Sequence, residues 1–461
     1  MHLHTAINVY HALLDEATAR ETFQLLDRAI RARKMLVGAN RDRLVCEVLR
    51  PRLLVPAQAA ILQQATQAVG RAIQVVGEAA LHDPALLAPY ALTSDEQVLL
   101  TLDPGYAGAS RFGRLDGFLD PEGQWCYFVE SNLESPAGIA YEDGLAEDFL
   151  SLPVMQAFIK DYPVSVAPLW RSLHATLLEA WTAWGGTGTP TIAIVDFAGA
   201  VTMPEFELLR ERFRAAGTPT LIADPAELRY DGRELYVEQA GQRTAIGLVY
   251  RRILQHEFLA TYDLRHPLVR AYADGRVCVV NPFRSKPVHT KLIMALISDE
   301  DGPGWPLLDP VTQAAVQAHV PWTRIVRAGP TRYQGEQVPD LLDFIADNRE
   351  RLVLKPNDAY GGSGVILGWT NDETSWRAAL AEALRGPWVV QERVPLPEEA
   401  YPTWSPATGL RFTPRYVDSD PCVFGSAANL RAEGCLTRIA ATPLLNVSAG
   451  GGAAPPTFFL R

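Results

Sequence analysis

Apolar residues recur every three or four positions over two long stretches near the start of the chain. Residues 15–35 and 56–80 both show this spacing, and Pro56 stands where a helix would begin, a position at which proline is favoured. Such a period buries one face of an amphipathic helix. The pattern predicts that residues 1–95 are mostly helical.

A different pattern starts near residue 190, where short continuous apolar runs alternate with amphipathic segments. TIAIVDF and TPTLIAD read as buried strands, and between them MPEFELLRERFRAAG reads as a helix closed by Gly217. The Asp231-Gly232 pair further on is typical of a hairpin turn. Strand, helix and strand in this order predict a small doubly wound α/β domain over residues 190–285.

Beyond this unit, helical and extended patterns alternate. We predict helices near 291–297, 309–319, 338–350 and 374–384, strands at 124–130 and 387–394, and antiparallel strands over 411–461. The chain is thus predicted to combine α/β and α+β segments, divided as 1–95, 96–185, 190–285 and 286–461.

Composition limits the classes of function. The 461 residues are 48% hydrophobic and 21% charged, which is typical of a soluble protein, and the net charge of −11 argues against binding to nucleic acid or to an anionic membrane. No apolar run is long enough to span a bilayer, and the N-terminus lacks the features of a signal peptide. The five cysteines are scattered, without a C-x-x-C pair. We therefore expect a reduced, cytoplasmic setting.

Residues 351–364 (RLVLKPNDAYGGSG) carry the first candidate chemistry. An apolar strand ends in Lys355 and runs into a loop containing Gly361, Gly362 and Gly364. Backbone N–H groups of such a loop can enclose phosphates, and an ammonium supplies a point charge for them. Only five of the 42 cationic side chains are lysine. A lysine retained in an arginine-rich chain suggests a site that needs a compact ammonium, although glycine loops also occur in ordinary hairpins.

A second candidate lies far upstream, where Arg114-Leu-Asp116 is followed by Glu130-Ser-Asn132. Alternate residues of a strand share one face, so the Glu130 carboxylate and the Asn132 amide would lie side by side, with Asp116 as a third oxygen donor. Mg²⁺ prefers oxygen ligands of this kind together with substrate phosphates. Alone the motif is weak, because acidic residues near turns are usually solvated.

Together, the lysines, the glycine loop, the Q-E-x-V strand at 391–394 and the E-x-N motif resemble the ATP-grasp superfamily. Here E-x-N precedes the lysines, an order that resembles circularly permuted ATP-grasp proteins, including the ligase domain of glutathionylspermidine synthases. R-x-D before E-x-N also matches, as does the closing LTRIAATPLLNVSAGGG, although the Lys-Asp pair usual after that segment is replaced by AAPP. The resemblance covers roughly 100–145 and 190–461. It implies a circularly permuted ATP-grasp fold with a substrate domain at 190–285, nucleotide-binding lobes at 286–461 and a helical N-terminal segment.

The resemblance also implies roles for individual residues. The implied Mg²⁺ ligands are Asp116, Glu130 and Asn132. The residues implied to bind ATP are Lys291, Lys355, Gly361, Gly362, Ser363, Gly364, Gln391, Glu392 and Val394, with Glu392 reading the adenine amino group. Arg114 and Arg438 are implied to neutralise phosphate charge during catalysis.

The implied activity is that of an ATP-dependent carboxylate–amine ligase. ATP and one or two Mg²⁺ ions would serve as cofactors, and an acyl phosphate would form before an amine attacks it. The partners would be small carboxylates and amines. A small-molecule kinase and a non-catalytic nucleotide-binding protein are the alternatives.

Three assignments stay open from the sequence. Lys286 competes with Lys291 for the second nucleotide lysine. Arg251-Arg252 and His256-Glu257 are candidates for an acceptor site at a strand end. Asp418 and Asp420 are candidates for a second metal site.

Overall fold

The architecture is taken from a computed structural model that describes residues 2–38, 40–239, 241–359, 361–447 and 451–461. Its α-helices are α1 Leu3–Ala12, α2 Glu16–Ala32, α3 Pro56–Ala80, α4 Pro84–Leu87, α5 Ser94–Thr101, α6 Ile139–Ser151, α7 Pro153–Phe158, α8 Leu169–Ala183, α9 Met203–Ala215, α10 Gln255–Thr261, α11 Pro267–Ala273, α12 Lys286–His289, α13 Leu292–Ser298, α14 Pro310–His319, α15 Leu341–Asp347 and α16 Glu373–Ala383. Its strands are β1 Leu36–Val37, β2 Arg43–Leu44, β3 Arg52–Leu54, β4 Phe112–Leu119, β5 Cys126–Asn132, β6 Val164–Ser165, β7 Ile192–Val195, β8 Thr220–Ala223, β9 Arg229–Tyr230, β10 Leu235–Gln239, β11 Gln242–Ile246, β12 Leu248–Arg251, β13 Cys278–Val280, β14 Thr323–Ile325, β15 Thr331–Tyr333, β16 Glu336–Val338, β17 Leu352–Pro356, β18 Ile366–Leu367, β19 Trp388–Glu392, β20 Glu398–Ser405, β21 Gly409–Val417, β22 Asp420–Phe424, β23 Arg431–Leu436, β24 Ile439–Ala440 and β25 Thr457–Leu460. The predicted mixture of α/β and α+β structure is confirmed.

The predicted N-terminal helices are present as α2 and α3. Asp15 caps α2 by accepting a hydrogen bond from the Thr18 N–H at 2.8 Å, and α3 opens with Pro56 at its first turn. The N-terminal region is not only helical, because β3 pairs in parallel with β25 at the other end of the chain. Residues 52–54 and 457–460, about 400 positions apart in the sequence, therefore share one small sheet.

The strand–helix–strand prediction for 190–285 matches a four-stranded parallel sheet in the order β13-β12-β7-β8. The helix α9 connects β7 to β8, and its apolar face is buried. The hairpin at Asp231-Gly232 is also confirmed, since β9 pairs antiparallel with β10. Strands β7 and β12 are neighbours, so their carboxyl ends meet at one edge of the sheet.

A second four-stranded sheet, β14-β19-β17-β18, is antiparallel. It holds Lys355 on β17 and Gln391 on the neighbouring β19. The glycine loop joins β17 to β18. The buried Trp376 of α16 packs in the hydrophobic cluster beneath this sheet.

A third sheet joins segments that are far apart in sequence, in the order β23-β22-β4-β5. Strands β4 and β5 pair so that Asp116 faces Glu130 and Arg114 faces Asn132. The C-terminal β22 pairs with the other edge of β4, and β22 and β23 form one of the antiparallel pairs predicted for 411–461. The R-x-D and E-x-N motifs therefore lie on adjacent strands, with the C-terminal segment beside them.

Two buried side chains tie the parallel sheet to the third sheet. Asn281 is fully buried, and its amide accepts from the Arg111 N–H at 2.8 Å and donates to the Phe112 carbonyl at 2.7 Å. Arg251 lies 2.6 Å from Glu134, and neither side chain is exposed to solvent. These contacts fix the strand ends of the parallel sheet against the start of β4 and against the segment that directly follows the E-x-N strand β5.

In the described part of the chain, no helix combines the length and the apolarity that a membrane crossing requires.

Candidate active site

A cleft of about 810 Å³ runs between the three large sheets. It brings together most of the residues that the sequence singled out. Its walls include Arg114, Asp116, Glu130, Asn132, Lys355, Gly361, Gly362, Gln391, Glu392, Val394 and Arg438. The wall does not include Lys291, Ser363 or Gly364. Lys291 nevertheless lies 3.0 Å from Glu130, which is part of the wall.

Lys355 connects the two halves of the site. Its Nζ donates to the Gln391 Oε1 at 2.6 Å and to the backbone carbonyl of Val129 at 3.1 Å, and Val129 precedes it by 226 residues in the chain. The side chain is 7% exposed, and burial lowers its pKa to about 8 even though the Glu130 carboxylate opposes the change. The ammonium is therefore weakly hydrated and positioned next to the E-x-N strand.

The two rival lysines occupy different surroundings. The Lys291 Nζ lies 3.0 Å from Glu130 and also donates to the Ala359 carbonyl at the base of the glycine loop. Lys286 instead pairs with Asp358 and lies 3.5 Å from Glu96. The geometry favours Lys291 as the second nucleotide lysine.

This difference predicts unequal effects for matched variants. We expect Lys291→Met to reduce the ATP turnover that the resemblance implies by about 10²-fold, because a cation expected beside the phosphates is lost. Lys286→Met should retain turnover within about 10-fold, since the ion pairs of Lys286 among the described residues are with Asp358 and Glu96. ADP release measured for both variants at saturating substrate tests the assignment, and a larger loss in Lys286→Met would reverse it.

The glycine loop requires glycine at one position in particular. Gly364 has a φ of +69°, and a Cβ there would lie 2.8 Å from the Pro356 ring. Gly361 and Gly362 also adopt positive φ and lie in the cleft wall, and the Gly361 carbonyl accepts from the Asn446 amide. The loop thus lies across one side of the cleft, next to the C-terminal segment.

The predicted adenine hinge lies at the end of the cleft formed by β19. Gln391 is committed to Lys355 through its Oε1 and donates to the Thr323 hydroxyl at 2.9 Å. The Glu392 Oε1 accepts from the Tyr333 hydroxyl at 2.5 Å. An adenine amino group that hydrogen-bonded to Glu392 would therefore share its carboxylate with Tyr333. The sequence did not single out Tyr333.

Arg114 and Arg438 converge on one carboxylate. Arg114 donates to Asp116 through Nε at 2.7 Å and through Nη2 at 3.0 Å, and the Arg438 Nη2 donates to the same carboxylate at 2.8 Å. Burial opposes ionisation of Asp116, but the two guanidinium groups outweigh it and hold the pKa of Asp116 well below its usual range. The two predicted catalytic arginines are thereby fixed side by side at the cleft wall.

Asp418 and Asp420 surround Arg438 rather than forming a separate pair of ligands. The Arg438 Nε donates to Asp418 at 2.7 Å, and its Nη2 lies 2.9 Å from Asp420. Burial raises the pKa of Asp418 to about 6 and the pKa of Asp420 well above its usual range. The contacts show these carboxylates orienting Arg438, and the second-metal role stays a prediction.

The predicted metal ligands offer oxygen donors that suit Mg²⁺. Glu130 and Asn132 occupy alternate positions on one strand, and Asp116 faces Glu130 across the pair. Two carboxylates and an amide oxygen next to Lys355 and Lys291 fit a hard divalent cation. The Asp116 oxygens already accept hydrogen bonds from the guanidinium groups of Arg114 and Arg438, so a metal cation would have to compete with these guanidinium groups. Within the described residues, no group of three or more histidine, cysteine, aspartate or glutamate side chains forms a metal site.

The opposite end of the cleft is built by the parallel sheet. Of the acceptor candidates, Arg252 and Glu257 line the cleft, whereas Arg251 is committed to the buried pair with Glu134. His256 lies outside the wall and 3.6 Å from Asp358. The sequence interpretation missed Asp196, which also lines the cleft. A signal was available, because Asp196 directly follows β7, and ligands of open α/β sheets bind at the carboxyl ends of strands.

The chain is similar to two curated proteins. It is 27% identical over 346 residues to the putative glutamate–cysteine ligase 2-2 of Frankia casuarinae and 27% identical over 367 residues to the putative glutamate–cysteine ligase 2-3 of Frankia alni. Each match covers 72% of this chain but only 36% of the relative. The chain therefore spans well under half the length of the curated relatives it matches. No protein-family model matches it.

A solved structure shares the fold over nearly the whole chain. A glutathione synthetase-like effector from Globodera pallida, determined in its apo form, superposes with a TM-score of 0.65 at 10% sequence identity, covering 97% of this chain and 99% of its own. At this identity the likeness shows the fold alone.

Proposed function

We propose that the protein is an ATP-dependent ligase of the ATP-grasp type that joins a carboxylate to an amine. The names of the two Frankia relatives and the fold shared with a glutathione synthetase-like protein support this proposal. The observation that carries it is the contact between two distant segments: Lys355 donates to Val129, and Lys291 pairs with Glu130. The lysine loop proposed to bind phosphate and the strand proposed to bind a metal thus line one cleft.

The order of these segments supports a circularly permuted arrangement. The strand that carries Glu130 precedes the parallel sheet and the lysine loop in sequence, yet it forms one wall of the cleft with them. We propose that residues 190–285 supply the substrate-binding domain, that residues 286–461 supply the nucleotide lobes, and that residues 96–185 supply the strand with the metal ligands.

The proposed reaction has two steps. A carboxylate oxygen of one substrate attacks the γ-phosphorus of ATP, the bond to the β–γ bridging oxygen breaks, and ADP leaves with the electron pair. The nitrogen of the amine then attacks the acyl carbon, phosphate leaves, and the nitrogen loses a proton. Phosphoryl transfer depends mainly on alignment and on neutralisation of charge.

This chain's residues would provide that neutralisation from two sides. Lys355 and Lys291 would contact the phosphates from the nucleotide lobe, and Arg114 and Arg438 would face the transferred phosphoryl group. When bound by Asp116, Glu130 and Asn132, Mg²⁺ would neutralise charge on the phosphate oxygens. The loop at Gly361 and Gly362 would limit access of water to the reactive acyl phosphate.

The pKa of Lys355 predicts how nucleotide affinity changes with pH. Since burial lowers the pKa to about 8, the fraction of Lys355 that carries the ammonium falls as the pH rises through 8. ATP affinity measured by calorimetry should therefore weaken from pH 7 to pH 9. In Lys355→Met this dependence should disappear, and an equally steep dependence in that variant would assign the titration to another group.

The proposed activity is tested by measuring ADP release over a panel of carboxylates and amines. The panel should include glutamate with cysteine, because the names of the Frankia relatives specify that pair. Release of ADP only when both an acid and an amine are present supports a ligase. Stoichiometric phosphorylation of the acid alone, without any need for an amine, would instead support a kinase.

A further inference from the structure

We infer that one substrate of the proposed ligation is an α-amino acid with an apolar side chain, held between Asp196, Arg252 and an apolar arm of the cleft. This inference rests on the proposed function. It specifies the class of substrate that the end of the cleft formed by the parallel sheet would accept.

The apolar arm is a continuous surface built from three parts of the chain. Its side chains are those of Val37, Val45, Tyr141, Leu145, Val447 and Ala454, all of which line the cleft. The same six residues belong to, or pack against, a single hydrophobic cluster. A contiguous surface of this kind gains free energy when it covers an apolar group, whereas a charged group placed there would lose its hydration without compensation.

The carboxyl group of Glu142, beside the arm, does not make the arm favourable for a cationic side chain. Glu142 also borders the cleft, but it is 8% exposed and its Oε1 accepts from the Thr457 N–H at 2.7 Å. Burial raises the pKa of Glu142 well above its usual range, which favours the neutral acid. A cationic substrate side chain therefore gains little from Glu142.

Two groups of opposite charge lie at the strand ends of the parallel sheet. Asp196 directly follows β7 and Arg252 directly follows the neighbouring β12, and both line the cleft. Arg252 is 6% exposed. Its Nη1 donates to the Pro136 carbonyl and, at 3.1 Å, to the Tyr250 hydroxyl. A guanidinium that lines the cleft can offer a charged contact to an anionic group.

Asp196 supplies the complementary charge. Its Oδ1 accepts from the Phe197 N–H at 2.8 Å, and a carboxylate retains further acceptor capacity after one such bond. Asp196 and Arg252 follow neighbouring strands and each affects the ionisation of the other. A ligand that contacts both would carry an ammonium and a carboxylate, as an α-amino acid does. The adjoining arm then selects for an apolar side chain. A polyamine would leave Arg252 unmatched, and an acidic side chain would be poorly solvated in the arm.

The affinity of the protein for amino acids, measured at equilibrium, tests this inference without requiring turnover. Calorimetry with L-leucine, L-serine, L-glutamate and L-leucinamide should give about 10-fold or greater preference for leucine over serine and glutamate. Leucinamide, which lacks the carboxylate, should bind more weakly than leucine. Tighter binding of glutamate or serine than of leucine would overturn the inference.

Variants of the arm and of the strand end provide the matched controls. Val447→Trp should weaken leucine binding by about 10-fold with unchanged ATP affinity, because Val447 is partly exposed in the arm and the larger ring occupies that space. Arg252→Leu should remove the difference between leucine and leucinamide. Thermal unfolding of each variant checks that it is folded, and Val37→Trp repeats the test from another wall if Val447→Trp does not fold. Unchanged leucine binding in folded arm variants would contradict the assignment.

These outcomes separate the inference from the proposed function. Specific leucine binding, without ADP release in any acid and amine combination, would reject the ligase while leaving the subsite in place. ADP release that requires an acid and an amine, together with preferred binding of a polar amino acid, would reject the apolar subsite alone.

Discussion

Replacing Lys355 with methionine is expected to lower ATP-dependent turnover by about 10²–10³-fold. Methionine has a similar length and tolerates burial, so the change removes mainly the ammonium that contacts Gln391 and Val129. The lost cation is one of those proposed to face the phosphates, and its effect should be greatest where negative charge is transferred. ADP release and ATP affinity should be measured side by side, since both are expected to fall.

Lys355→Arg is expected to remain impaired although it keeps the positive charge. The guanidinium is larger and planar, and Lys355 is 7% exposed in a space already bordered by Gln391. Lys160→Met serves as the matched control because Lys160 is exposed at the surface. Near-normal turnover in Lys355→Met would remove Lys355 from the site, and equal losses in Lys160→Met would point to a non-specific effect.

Replacing Arg251 with leucine is expected to lower the free energy of unfolding by about 3–5 kcal/mol, the usual cost of leaving one member of a buried ion pair without its partner. Arg251 and Glu134 are both fully buried and lie 2.6 Å apart. Arg251 also donates to the backbone carbonyls of Asn281 and Ile253, at 3.0 and 2.9 Å. The variant therefore loses the ion pair and the link between the parallel sheet and the E-x-N strand.

The stabilisation by this pair depends on pH with a defined sign. Burial opposes ionisation of Glu134, but Arg251 outweighs it and lowers the pKa to about 2. A carboxylate with a depressed pKa contributes its stabilisation fully above the unfolded pKa of about 4.3 and loses it as the pH falls towards 2. The difference in unfolding free energy between the wild type and Arg251→Leu should narrow between pH 5 and pH 3. A constant difference over that range would mean that Glu134 is not the titrating partner.

The double variant Arg251→Leu/Glu134→Leu separates loss of the pair from loss of packing. Because it removes the uncompensated carboxylate, it should be more stable than Arg251→Leu alone. Urea unfolding of the wild type, both single variants and the double variant completes the cycle. A double variant less stable than either single variant would show that the hydrogen bonds of Arg251 matter more than its charge.

Local patterns predicted the elements of the fold because their causes are local. The helix at 56–80 shows a clear apolar period and a proline at its start, and the structure begins and ends it at the same residues. The strand at Ile192–Val195 is a continuous apolar run, as expected for a strand covered on both faces. Pairing of β22 with β4 was not predictable, because no local pattern specifies which distant strand completes a sheet.

The sequence predicted which residues line the candidate site better than it predicted the contacts between them. Residue types placed Lys355 and Glu130 at one site, but only the folded arrangement distinguishes Lys291 from Lys286 through their different carboxylate partners. The sharing of Asp116 by two arginines could not be read from the sequence either, since Arg438 is 322 residues away. No local pattern predicted a role for Tyr333, because its hydrogen-bond partner Glu392 lies on a strand of a different sheet.

The central claim is that one cleft uses ATP to join a carboxylate to an amine. It is tested most directly by incubating the protein with ATP, Mg²⁺ and the acid–amine panel, and by quantifying ADP, phosphate and the amide product by mass spectrometry. The account predicts equal amounts of the three products, formed only when both substrates are present and lost in Lys355→Met. An ATP hydrolysis rate that does not depend on the acid or the amine would contradict it. Phosphorylation of a substrate without an amide product would also contradict it.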